Sequence, residues 1–219
     1  MTDAVTPGRG SADQAPIRIL SVDDHPLLRE GIAAVLERQS DMVLVGEAAT
    51  GREAIEAFGA CRPDVTLMDL RMPDMSGIAV IEAIRAQYSG ARFIVLTTYA
   101  GDVQAVAALK AGASGYLLKN MLRKELVETI RIVNAGKRHI PPDIAAEIAQ
   151  HAADERLTAR EVAVLKRVAA GRSNKVIAAE LAIMEDTVRT HMKNILAKLG
   201  ASGRTHAVMI ALKRGILDV

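Results

Sequence analysis

Side chains able to bind a metal or a phosphoryl group stand at the ends of four short apolar runs. Asp23 and Asp24 follow residues 17–22, Asp69 follows 65–68, Thr97 closes 93–96, and Lys119 follows 116–118. If the runs are parallel strands, these side chains meet at the carboxyl edge of a sheet, where open α/β sheets bind ligands. Three carboxylates are hard oxygen ligands of the kind Mg²⁺ takes, and the cation relieves their mutual repulsion. Asp69 is then the candidate nucleophile towards a phosphoryl group, giving an aspartyl phosphate. The metal and Lys119 would offset charge on the transferring oxygens, and the Thr97 hydroxyl would bond one of them. Taken singly, each residue could as well be solvated or cap a helix. The functional interpretation rests on all of them in this order.

The elements that must position them follow from periodicity. Strands are predicted at 17–22, 42–47, 64–68, 92–97 and 115–118, each short and apolar on both faces, as in a buried parallel sheet. Helices are predicted near 27–38, 51–60, 77–87, 102–111 and 123–135, with Pro26, Pro63, Pro73, Gly77, Gly90, Gly101, Gly112 and Gly115 at the edges. This alternation predicts an α/β fold, a doubly wound five-stranded parallel sheet. A breaker-rich stretch from Gly136 to Pro142 ends it, and a short linker helix is expected near 143–152. Beyond Leu157 no strand pattern returns. Helices at 158–170, 174–182, 185–199 and 204–214 make a small all-α module.

Bulk properties narrow the class. The chain has 219 residues, 50% hydrophobic and 25% charged, enough for two small domains, and has no apolar run of membrane-spanning length. Residues 1–16 are polar and read as a disordered tail, not a secretory signal. The single cysteine, Cys61, cannot form an internal disulfide, which fits a cytoplasmic protein. Residues 1–144 carry 16 Lys+Arg against 18 Asp+Glu, whereas 145–219 carry 12 against 8. The basic C-terminal third is compatible with a polyanionic partner. Aromatics at 2% and the absence of Trp argue against stacking on single-stranded nucleic acid.

The sequences Val22-Asp23-Asp24-His25-Pro26, Asp69-Leu70-Arg71-Met72-Pro73-Asp74-Met75-Ser76-Gly77, Leu96-Thr97 and Gly112-Ala113-Ser114-Gly115-Tyr116-Leu117-Leu118-Lys119 resemble the flavodoxin-like receiver domain of two-component response regulators. The resemblance covers residues 17–135. It implies that Asp69 accepts phosphate from a histidine kinase. It implies a Mg²⁺ site of Asp23, Asp24, Asp69 and the backbone carbonyl of Arg71. Thr97 and Tyr116 match the family's switch pair, and Lys119 its phosphate-binding lysine. A phosphatase using Asp69 would need a second acid/base and a lid, and neither is evident.

In residues 185–199, Val188, Met192, Ile195 and Leu199 form an apolar stripe, leaving Arg189, Thr190, Lys193 and Asn194 elsewhere on the helix. That pattern suits a major-groove helix, and it suits an ordinary bundle helix equally well. Leu157-Thr158-Ala159-Arg160-Glu161, Gly171-Arg172-Ser173-Asn174-Lys175, Thr187-Val188-Arg189-Thr190-His191 and Lys198-Leu199 through Arg204 to Ala207 resemble the LuxR-type helix-turn-helix. The resemblance implies double-stranded promoter DNA as partner and a homodimer when active. It implies base contacts from Arg189, Thr190 and Lys193, with phosphate contacts from Ser173, Asn174, Lys175, Thr187, Asn194 and Arg204. Residues 136–156 become a linker and 157–219 the DNA-binding domain. Met184 departs from the family's usual Ser before the recognition helix, so a frayed helix start is expected.

Overall fold

The computed structural model describes residues 15–98, 101–152 and 154–217; nearly all of the expected N-terminal tail lies outside them. The first half alternates β1 (Ile17–Val22), α1 (Pro26–Leu36), β2 (Met42–Ala48), α2 (Gly51–Cys61), β3 (Val65–Asp69), α3 (Gly77–Gln87), β4 (Phe93–Thr97), α4 (Asp102–Ala111), β5 (Gly115–Leu118) and α5 (Leu122–Asn134). The strands pair in parallel in the order β2-β1-β3-β4-β5. Every residue of β3 and β4 is buried, because helices cover both faces; this is why these strands are continuous apolar runs. One core holds Phe58, Val80, Ile81, Ile84 and Ala105 from α2, α3 and α4. The other holds Ile32 and Leu36 from α1 with Leu126, Ile130 and Val133 from α5. Cys61 is half-buried and its Sγ–H donates to the Val45 carbonyl.

The segment after α5 docks on this sheet. His139 N–H donates to Ser114 O and His139 O accepts from Tyr116 N–H, both at 3.0 Å, so the chain pairs with the free edge of β5. Helix α6 (Pro142–Gln150) then buries Ile144 completely in the core that also holds Tyr116 and Ala105.

The last third is helical: α7 (Ala159–Ala169), α8 (Asn174–Leu181), α9 (Glu185–Leu199) and α10 (Arg204–Lys213). They close on Val164, Leu165, Ile177, Val188, Ile195 and Ala207. Thr158 and Glu161 form a reciprocal capping box that starts α7, and buried Glu161 also pairs with Lys198 of α9 at 3.0 Å. The two halves touch where α10 ends. Arg214 donates to both carboxylate oxygens of Asp102, at 3.1 and 2.9 Å, and to Asp154 at 2.8 Å.

Candidate phosphoryl site and nucleic-acid interface

Sheet register gathers the chemistry. Val22 pairs with Met68, Asp69 with Leu96, and Thr97 with Leu118. Asp23, Asp69, Thr97 and Lys119 therefore emerge side by side at the carboxyl edge. Asp23 is fully buried, Asp69 nearly so, and Asp24 is more open to solvent. Lys119 Nζ lies 2.8 Å from an oxygen of Asp23 and 2.8 Å from one of Asp69. The other Asp69 oxygen accepts from the backbone N–H of Arg71. Gly77 has a steric reason: a Cβ there would lie 2.0 Å from the Asp69 carbonyl oxygen, so only glycine lets α3 begin against the end of β3.

Charge in this site is unbalanced. Burial pushes the Asp69 carboxyl above its ordinary range; Lys119 opposes this, and the charge of Asp23 adds to it. Burial pulls the Lys119 ammonium down, but its bonds to Asp23 and Asp69 more than reverse that, and its net direction is up. Two carboxylates share one ammonium, and Asp24 brings a third carboxylate within 4.8 Å of them.

A cation fits this donor set. Ligand atoms from Asp23, Asp24, His25 and Asp69 all lie within 4.8 Å of one another. His25 was not among the expected site residues. Its Nδ1 lies 2.6 Å from Asp24 and 3.1 Å from Asp23, and its backbone N–H donates to Asp23. Adjacency to Asp24 was the available signal, but its ring direction depends on the turn into α1.

Thr97 is buried at the end of β4, and the Tyr116 ring is fully buried. Burial pushes the Tyr116 phenol up to about 12, against a smaller pull from the neighbouring Thr97 hydroxyl. The ring already faces inward, under the sheet edge that His139 closes.

In the helical module, Arg189, Thr190, Lys193 and Asn194 are exposed on α9 while Val188, Met192 and Ile195 are buried. Thr187, one residue before the buried stripe, is partly covered, and Lys175 is exposed near the start of α8. Other candidates already have local bonds. Ser173 Oγ accepts from Val176 N–H and caps α8. Arg204 donates to the Asn174 side chain at 2.6 Å and to Arg172 O at 3.1 Å, tying the starts of α8 and α10 together. Thr190 donates its hydroxyl to Asp186 O. Met184 is exposed at the N-cap of α9 without a side-chain bond, yet its carbonyl accepts from Thr187 and Val188.

Comparison with known proteins places both halves. Residues 19–131 match the response regulator receiver domain, and residues 155–211 match the bacterial regulatory proteins of the luxR family. YhcZ of Bacillus subtilis, an uncharacterized transcriptional regulatory protein, is 40% identical over 206 residues, covering 90% of this chain and 96% of that one. The transcriptional regulatory protein LiaR of the same organism is 37% identical, covering 92% and 100%. A solved LuxR-family two-component response regulator from Aurantimonas sp. SI85-9A1 is 40% identical with a TM-score of 0.60, covering 63% of this chain and 99% of that one. The response regulator ChrA of a heme-sensing two-component system is 34% identical with a TM-score of 0.56, covering 93% and 100%. Among the described residues no helix is long and apolar enough to cross a membrane. The chain belongs to the two-component response regulators that join a receiver domain to a LuxR-type DNA-binding domain, a family of transcription regulators and not of enzymes.

Proposed function

We propose that Asp69 is the phosphoacceptor and that its state governs how residues 157–219 bind promoter DNA. The observation that carries this is the Lys119 ammonium, held 2.8 Å from both Asp69 and Asp23 at the carboxyl edge of the sheet. A sensor histidine kinase supplies the phosphoryl group. An Asp69 oxygen attacks phosphorus as the P–N bond to the kinase histidine breaks, and the leaving imidazole keeps the electron pair. Asp23, Asp24, Asp69 and the Arg71 carbonyl would hold Mg²⁺, which supplies positive charge against the phosphoryl oxygens. Lys119 neutralises one of those oxygens, and Thr97 donates its hydroxyl to another.

Thr97 lies five positions before Asp102 on the same β4–α4 connection, and Asp102 is bonded to Arg214. Movement of Thr97 towards a phosphoryl group therefore pulls on the contact between the two halves. In this assignment residues 17–135 are the receiver, 136–156 the linker and 157–219 the DNA-binding unit. Arg189, Thr190 and Lys193 face the bases. Ser173, Asn174, Lys175, Thr187, Asn194 and Arg204 lie towards the phosphates. The active form is a homodimer, and the protein works in the cytoplasm.

The test maps genomic binding sites for wild type and Asp69→Ala, with and without a small acyl-phosphate donor. Wild type should tighten on its sites with the donor and the variant should not. Tightening of the variant with the donor would make another residue the acceptor.

A further inference from the structure

Arg189 does not project alone from α9. Its Nη1 donates to Asp186 at 3.2 Å and its Nη2 to Glu185 at 3.0 Å. Both acids lie in the first turn of the helix, and the Asp186 side chain is 86% exposed. The N-terminal end of a recognition helix is the part that meets base edges, where negative charge faces a polyanion. Stability does not account for the arrangement, because exposed pairs at these spacings contribute little. A favourable contact with the helix dipole would follow from any acid in the first turn, and does not explain why both acids hold the same guanidinium.

We propose that Glu185 and Asp186 form an acidic brace that turns Arg189 into a reader of neutral base edges rather than of phosphates, and so set the specificity of DNA binding. This inference rests on α9 being the recognition helix. The guanidinium has more N–H groups than the brace uses, so it can stay braced while donating in parallel to guanine O6 and N7. Guanine presents neutral acceptors, which the two carboxylates tolerate. A phosphate brings a full negative charge beside them, so Arg189 must either leave the brace or hold two anions against a third. The brace thus penalises the backbone-riding mode that dominates non-specific binding and leaves base readout nearly untouched.

The test uses the full-length protein. Selection from a random-sequence duplex pool yields a preferred duplex, and a scrambled duplex of equal composition serves as the non-specific probe. Kd is measured on both, over a range of salt, for wild type and for Glu185→Gln/Asp186→Asn, with far-UV circular dichroism to check the fold. The double variant should bind the scrambled duplex about three- to tenfold more tightly and change less on the preferred one. Its salt slope on the scrambled duplex should steepen by roughly 0.9, one further phosphate contact. Equal gains on both duplexes, or no gain on either, overturn the brace. So does a loss on the preferred duplex, which would mean that the carboxylates contact DNA themselves. Arg189→Ala separates the two levels of the argument. If selection with this variant loses preference at a G·C pair, the recognition-helix assignment stands whatever the brace does. If it returns the same site, that assignment itself fails.

Discussion

At the residue scale the proposed acceptor site is a strained arrangement. Asp69 shares one ammonium with Asp23 inside a buried pocket, and burial holds its carboxyl above the ordinary range. A carboxyl whose pKa is raised on folding favours the native state below its unfolded pKa and loses that contribution as pH rises through the folded pKa. Asp69→Asn removes the charge, leaves Lys119 to Asp23, and keeps an oxygen for the Arg71 N–H. In metal-free buffer we expect the variant to be more stable at neutral pH by on the order of 1 kcal/mol, the usual scale for relieving active-site strain. The advantage should shrink as pH falls through the raised Asp69 value, and added Mg²⁺ should stabilise wild type more than the variant. Thermal melts with chelator, then with Mg²⁺, at acid and neutral pH check both signs. An advantage that grows on acidification would mean the carboxylate is not strained. Asp23, Asp69, Thr97 and Lys119 were legible as neighbours because each ends or directly follows a buried strand, so register fixes its position, and Asp24 was legible by its adjacency to Asp23. His25 was not, since its ring direction comes from a turn that no periodicity encodes.

Elements were legible wherever burial imposes a pattern. β3 and β4 are covered on both faces, and their unbroken apolar runs say so. The pairing of His139 with β5 left no such trace, because one bridge between Ser114 and Tyr116 requires only backbone groups. Its consequence is large: the expected linker helix α6 seals Ile144 into the receiver core that also holds Tyr116. Helix starts carry a different signal. α7 opens with a complete capping box, whereas α9 opens at Met184 with none and leans on Glu185 and Asp186 in its first turn. The first turn of α9 is closed by backbone bonds to the Met184 carbonyl, without a side-chain cap. An uncapped start still lacks a bond that serine supplies, so Met184→Ser should stabilise the chain by about 1 kcal/mol. A melting temperature and an operator affinity both unchanged by this substitution would mean that the acids of the first turn already supply all a cap offers.

At the scale of the whole molecule the decisive contact joins residues 112 positions apart, beyond the reach of any local pattern. Asp102 and Arg214 are both largely buried, and Arg214 reaches on to Asp154, which also accepts from His151. Backbones meet here as well. A Cβ on Gly101 would lie 2.7 Å from the Arg214 carbonyl, and Val103 N–H donates to that same oxygen. Removing one partner of a buried pair leaves the other uncompensated, a cost of roughly 3–5 kcal/mol. Arg214→Gln should therefore loosen the two halves, seen as a larger radius of gyration in solution scattering. Thr97 ends β4 and Asp102 begins α4, and any coupling between the clasp and the phosphoryl site must act in both directions. If a phosphoryl group strains the clasp, breaking the clasp must favour the phosphoryl-bound state. Trifluoroberyllate, a reversible phosphoryl mimic, makes this an equilibrium measurement: with Mg²⁺ present, Arg214→Gln should bind it several-fold more tightly than wild type, a coupling of about 1–2 kcal/mol. Looser halves with unchanged affinity for the mimic would mean that the clasp sets the shape of the molecule and takes no part in its signal.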